Sequence, residues 1–212
     1  MTSPHRFQHV VKSIDELTEL IGVPSELALK KQLSELDEHM KSFIARSPFL
    51  LIGTFGREGA CDVSPRGDPP GLVKVLDSKT LVIPDRRGNR RVDSLRNIVE
   101  IGRIGLLFLI PGVGETLRVN GRATLIRDED VLVTLAAGGT PPLLGIAVEV
   151  EECFLQCAKA IIRSKLWSHE GGQPDSTLPS FAEILLDQVK IEGETVESLR
   201  QRIENSYRNQ LY

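Results

Sequence analysis

The sequence predicts a mainly β protein with flanking helices, built on a small antiparallel barrel or sandwich. Three observations carry this expectation. Short apolar or alternating runs crowd the middle of the chain, Gly, Pro and Asp punctuate them at turn spacing, and amphipathic helical patterns occupy both ends. With 212 residues and 41% hydrophobic content, the chain is long enough for one well-buried domain with appendages.

From Ser13 to Ala45 the spacing is helical. Ile14, Leu17, Leu20 and Ile21 form one apolar stripe, and Leu29, Leu33, Leu36, Met40 and Phe43 form another. Gly22 and Pro24 separate the two, so residues 1–47 read as a helical arm with a second helix starting at Pro24. At Ser47-Pro48 the character changes. FLLIGTF, CDVSP, LVKVL and TLVIP read as antiparallel strands, with hairpin turns at GREG (56–59) and DSK (77–79). VDSLRNIVE (92–100) reads as a short helix with Val92, Leu95, Ile98 and Val99 on one side. IGLLFLIP (104–111) and ETLRVNGRATLI (115–126) then flank the turn PGVG. After a helical DEDVLVTLAA, LLGIAVEVEE (143–152) supplies the last strand. One domain is expected over 1–212, with a barrel at 48–152 and C-terminal helices at 153–212: CFLQCAKAIIRSKLW, SFAEILLDQVKIEG and TVESLRQRIENSYRNQLY. The linker SHEGGQPDSTLP reads as a mobile surface loop.

A net charge of -3 argues against a surface built wholesale for nucleic acid or anionic membrane, so any anion site must be local. Cys61, Cys153 and Cys157 lack the number and spacing of a disulfide framework, which suits a reducing cytoplasm. The N-terminal stretch has no apolar segment of signal-peptide length. No run approaches the roughly 18 apolar residues of a membrane span, so a soluble cytoplasmic protein is expected.

The most informative segment is IPDRRGNRRVDSLRNI, residues 83–98. Between Pro84 and Arg103 stand six arginines (86, 87, 90, 91, 96 and 103) against three acids (85, 93 and 100), in a chain that is acidic as a whole. RRGNRR lies where a strand ends and a helix begins, and unpaired backbone N–H groups there already favour an anion. Arginine adds charge and a two-pronged donor geometry suited to phosphate. Asn89 could cap the helix or donate to the same phosphate, and Gly88 lets the backbone turn. A solvated basic loop paired with surface acids is the competing reading. CDVSPRGDPPG (61–71) offers a strand ending at Ser64, Pro65 and Arg66, then a Gly- and Pro-rich turn able to bring backbone N–H groups against a planar ligand.

Together with SPFLLIGTFGREGACDVSPRGDPPG, TLVIPDRRGNRRVDSLRNI, IGLLFLIPG, ETLRVNGRATL and CAKAIIRSKLW, this order of segments from about 47 to 167 resembles the pyridoxamine 5'-phosphate oxidase-like family of FMN-binding split barrels. The resemblance implies a six-stranded antiparallel Greek-key split β-barrel. It implies a homodimer with two FMN sites at the subunit interface, a small-molecule substrate or electron donor, and no nucleic acid or membrane partner. By the family pattern Arg90 and Arg91, with Asn89 beside them, bind the FMN phosphate. Val63, Ser64, Pro65 and Arg66 run beside the ribityl chain and ring, Ile83 and Pro84 line the adjacent strand, and Thr116 makes a polar contact from the partner side. Arg163 and Trp167, in RSKLW, belong to the part that closes over the flavin, although a lone Trp equally suits core or dimer packing. Gln156 stands where related sequences often carry His, and no equivalent is present of the Arg-and-His pair that holds the oxidase's vitamin substrate. Both departures argue against pyridoxine 5'-phosphate oxidation.

The expected function is therefore an FMN-dependent oxidoreductase of unknown substrate, with no catalytic acid or base singled out. The alternatives are a non-catalytic flavin-binding or sensor module, and the same fold using deazaflavin F420 or haem. Cys153 and Cys157, at i, i+4 on an expected helix, lack further ligands, so no metal is expected, and His5 and His9 read as exposed. GVGETL lacks the third glycine of a dinucleotide fingerprint and reads as a hairpin turn. P-loop, G-x-S-x-G and H-E-x-x-H motifs do not occur.

Overall fold

The computed structural model describes residues 6–168, 177–190, 192–209 and 211. The chain falls into two compact units, Met1–Gln32 and Leu33–Tyr212. In the first, Ser13 caps helix α1 (Ile14–Ile21) by accepting from the Glu16 N–H, and Ser25 caps α2 (Glu26–Lys30) by accepting from the Ala28 N–H. Neither helix has a buried residue.

The second unit opens differently from expectation, because the stripe from Leu29 to Phe43 does not lie on one helix. Leu33 leaves the helix to exchange two backbone hydrogen bonds with Cys153, and the Leu36 N–H donates to the Ser78 carbonyl at 2.7 Å. Asp37 then starts a new helix, α3 (Glu38–Arg46), by accepting from the Met40 N–H at 2.8 Å.

Strands β1 (Phe49–Phe55), β2 (Cys61–Gly67), β3 (Lys74–Val75), β4 (Thr80–Pro84), β5 (Arg103–Leu109), β6 (Thr116–Ile126) and β7 (Gly145–Gln156) form a seven-stranded sheet. Its order is β2-β1-β5-β6-β7-β4-β3, with every neighbouring pair antiparallel. The expected six-stranded barrel is corrected to a seven-stranded sheet, in which every run read as a strand pairs, LVKVL through Lys74 and Val75 alone. Both expected hairpins form. The Gly56 N–H donates to Ala60 O, and the Leu76 N–H to Thr80 O.

Alternation places Leu50, Ile52, Leu106, Phe108, Leu117, Val119, Ile146 and Val148 inside, each at most 2% exposed. Met40 and Ile44 of α3 join this core, as do Leu95 and Ile98 of helix α4 (Asp93–Ile101). Only those two of the four apolar residues expected along α4 reach the core, while Val92 and Val99 are exposed. A bulge breaks the β6–β7 register at Asn120/Gly121, and there the strands approach so closely that a Cβ on Gly121 would lie 2.0 Å from the Glu149 carbonyl oxygen.

Strand β7 runs four residues beyond the expected 152, which overturns the placing of Cys153 and Cys157 on one helix. Cys153 is buried in β7, and Cys157 is exposed beyond the strand's end. Short helices α5 (Glu129–Val133) and α6 (Lys159–Ser164), and the longer α7 (Phe181–Val189) and α8 (Val196–Asn209), complete the unit. Most of the linker expected as a surface loop, residues 169–176, lies outside the described residues, as do His5, Gln210 and Tyr212 of the N- and C-terminal segments read above. Among the described residues no helix is long and apolar enough to cross a membrane.

Candidate functional site

The sheet order leaves β2 at one end, paired only with β1, and its sheltered face is polar. Asp62, Ser64 and Arg66 are half-buried in alternation, while Val63 and Pro65 point outward and are exposed. Two of these side chains, Asp62 and Arg66, reach the segment that follows β4. Ser94 of α4 donates its hydroxyl to Asp62. Arg66 donates to the Ser64 hydroxyl at 2.7 Å and to the Pro65 carbonyl at 3.0 Å, and its second terminal nitrogen lies 3.7 Å from the Asp85 carboxylate. Just past the strand, Asp68 pairs with Arg86 at 2.7 Å. On the neighbouring strand, Thr54 accepts from the Asn97 amide of α4 at 3.0 Å. The Arg66–Asp85 contact brings the end of β2 to the residue that follows Ile83 and Pro84, which are buried at the end of β4. Burial raises the Asp85 carboxyl above its ordinary range, against the pull of the Arg66 guanidinium.

Between β4 and α4 the RRGNRR loop carries no regular structure. Asn89 does not cap the helix. Its side-chain oxygen accepts from the Arg91 N–H at 2.9 Å, and Val92 holds the N-cap position with no side-chain hydrogen bond. The first turn of α4 is thus left without a side-chain acceptor, the arrangement that favours a bound anion. Gly88 is not the residue that takes the unusual backbone conformation. Arg90 does, at φ 62, in the left-handed region that costs a non-glycine residue of order 1 kcal/mol.

The arginines of this region are not equivalent. Arg86 is committed to Asp68 and Arg103 to Glu151. Arg91 donates from Nε to Asp93 at 2.7 Å, and this hydrogen bond raises its pKa, but the side chain is 78% exposed and open to exchange of partners. Among the described residues no ion pair reaches Arg87, Arg90 or Arg96, and Arg87 and Arg90 stand in the exposed loop itself.

Two more of the expected residues, Thr116 and Trp167, lie at the β5–β6 turn or hydrogen-bond to it. The Thr116 hydroxyl donates to the Gln156 side chain at 3.2 Å across β6 and β7. The Trp167 indole N–H donates to the Val113 carbonyl at 2.7 Å. Trp167 is 37% exposed, so it anchors the segment after α6 to the turn rather than filling the core. Arg163 is exposed on α6. A hollow of about 230 Å³ on the outer face of β1, β5 and β6, lined by Gly53, Phe55, Arg103, Gly105, Asn120 and Glu151, contains none of the expected site residues.

Sequence reasoning missed Asp62, Asp68, Asp85, Arg86 and Ser94 as parts of one network. A signal for part of it was present, because Asp62, Ser64 and Arg66 fall at every second position of β2 and share its face, and Asp68 continues that spacing just past its end. Among the described residues no cluster of His, Cys, Asp and Glu could hold a metal ion.

A family model for pyridoxamine 5'-phosphate oxidase matches residues 36–157, more than half the chain. The chain belongs to the pyridoxamine 5'-phosphate oxidase family. No curated protein sequence matches it. Among solved structures, the protein is similar to one related to general stress protein 26, of the pyridoxinephosphate oxidase family, from Clostridium acetobutylicum. The two are 16% identical over 57% of this chain and 91% of the other, with a TM-score of 0.42. It is also similar to an FMN-binding protein from Syntrophomonas wolfei (10% identity, 54% and 86% coverage, TM-score 0.40). An F420 reductase is a third (15% identity, 57% and 98% coverage, TM-score 0.40).

Proposed function

We propose that the protein binds FMN and works as an FMN-dependent oxidoreductase in the cytoplasm. The observation that carries this reading is the loop between β4 and α4. There an uncapped helix start, the left-handed Arg90 and two arginines, Arg87 and Arg90, that no ion pair reaches among the described residues fall within one short loop, in a chain of net charge -3. Such a cradle fits a dianionic phosphate monoester, with Arg90, Arg91 and Asn89 as its holders once Arg91 exchanges Asp93 for the ligand. Val63, Ser64, Pro65 and Arg66 on one side, and Ile83 and Pro84 on the other, would flank the ribityl chain and ring.

When bound, the flavin supplies two-electron transfer, and the protein supplies binding, orientation and tuning. Arg66 fixes the β2 backbone through Ser64 and Pro65, so peptide groups along 62–67 would meet the ligand in set positions. Thr116 and Trp167 lie at a different turn and Arg163 on α6, which accords with a site completed by the second protomer of a homodimer. The outer faces of β1 and β5 suit such a partner. Phe49 pairs with Leu109 and Leu51 with Leu107 there, giving strands that are apolar on both faces. The free thiols Cys61 and Cys157 at the surface suit a reducing compartment.

Fluorescence titration of cofactor-free protein with FMN tests the reading. Binding should quench the flavin, and Arg90→Ala or Arg91→Ala should weaken it about tenfold to a hundredfold, the scale of one charge-assisted hydrogen bond. Unchanged affinity in both variants rejects the phosphate assignment.

A further inference from the structure

The chain carries a second charge arrangement beside the arginine loop, and its residues are not needed to hold a phosphate. Arg66 and Asp68 flank the end of β2, while Asp85 and Arg86 follow β4. The pairs cross with opposite polarity: arginine of the first segment to aspartate of the second, and aspartate of the first to arginine of the second. We propose that this reciprocal clasp sets the width of the cleft between β2 and β4, making Asp68 and Asp85 positioning residues for whatever lies in it. The proposal rests on the flavin reading for the identity of that ligand, but not for the clasp itself.

The backbone explains why a clasp is required. Strand β3 pairs only with Leu81 and Val82, so the last residues of β4, Ile83 and Pro84, extend beyond it and have β7 as their ladder partner. Strand β2 has only β1. Each facing segment also contains a proline, Pro65 in β2 and Pro84 in β4, and neither has an N–H to donate to a ladder. Two strand ends that cannot zip together would drift apart unless something else spans them. Side-chain ion pairs do so at a greater separation than ladder hydrogen bonds allow, which leaves room for a flat ligand.

Burial gives the clasp its strength. The Asp68 side chain is 4% exposed, Arg86 17%, Arg66 18% and Asp85 28%, so these pairs are much less screened than the exposed Arg91–Asp93 pair. The clasp has no net charge, so the loop's anion-binding capacity stays with Arg87, Arg90 and Arg91. It also transmits position. Through Arg66 it grips Ser64 and Pro65, the part of β2 that the flavin reading lays beside the ring.

The test compares Asp68→Asn, the milder Asp85→Asn, and the exchanged pair Asp68→Arg with Arg86→Asp. Two readouts are used: hydrogen–deuterium exchange of the cofactor-free protein over residues 61–67, and FMN affinity. Both single variants should speed exchange in β2 while leaving the β6–β7 ladder protected, and should weaken FMN binding about tenfold, as expected when a buried charge loses its partner. The exchanged pair should recover part of both. Unchanged β2 exchange in both single variants, or an exchanged pair no better than Asp68→Asn, overturns the clasp. A wild-type protein that ignores FMN overturns the flavin reading alone, since the exchange measurement still decides the clasp.

Discussion

At the scale of single residues, burial has chemical consequences that differ among the cysteines. The Cys153 thiol is wholly buried and donates to the Leu33 and Glu35 carbonyls. Burial pushes its pKa from an ordinary 9.0 up to about 11, with the carboxylates of Asp37, Glu152 and Glu35 adding to the effect. The unfolded chain therefore ionises this thiol first. Its contribution to stability is complete below pH 9.0 and is lost as pH rises toward about 11. Urea unfolding at about pH 8 and about pH 10 should show that loss. Cys153→Ala, though less stable throughout, should show a smaller one, and equal losses in the two proteins would contradict the assignment. Arg90 shows a different residue-scale effect. Its left-handed backbone was not legible, because the sequence offers Gly88 and Asn89, the usual occupants of that region, within two positions.

At the scale of elements, Gly121 has the most stringent requirement. A methyl group there meets the Glu149 backbone rather than a movable side chain, so Gly121→Ala should destabilise the protein by more than about 3 kcal/mol. Chemical denaturation measures this, and a loss below about 1 kcal/mol would mean that the bulge yields easily. The strands themselves were legible from alternation and turn residues, as Leu50, Ile52, Leu106 and Phe108 illustrate. Two elements were not. The residues between Leu29 and Phe43 keep helical spacing throughout, yet Leu33 pairs with Cys153 across 120 residues, and tertiary pairing outweighs a local pattern of that strength. The same partner explains the other error. Cys153, Gln156 and Cys157 have helical spacing, but β6 is eleven residues long and holds β7 extended as far as the Thr116–Gln156 pair.

At the scale of the whole molecule, the candidate site draws on segments some twenty residues apart, the end of β2 and the stretch after β4, which the Arg66–Asp85 and Asp68–Arg86 ion pairs join. The arginine cluster was legible because it stands out against an acidic chain, and the polar face of β2 because its period is two. The pairing of Arg66 with Asp85 and of Asp68 with Arg86 was not, since no local pattern specifies which of many charges meet. The same applies to the hydrogen bond from the Trp167 indole to the Val113 carbonyl, 54 residues away in sequence. Membership of the pyridoxamine 5'-phosphate oxidase family accounts for the order of segments.

The central claim is that the loop from Arg87 to Arg91 holds a phosphate. Calorimetric titration with FMN and with riboflavin, which differ only in that group, tests it most directly. FMN should bind at least about a hundredfold more tightly, with Arg90→Ala removing most of the difference. Equal affinities for the two flavins would contradict the account.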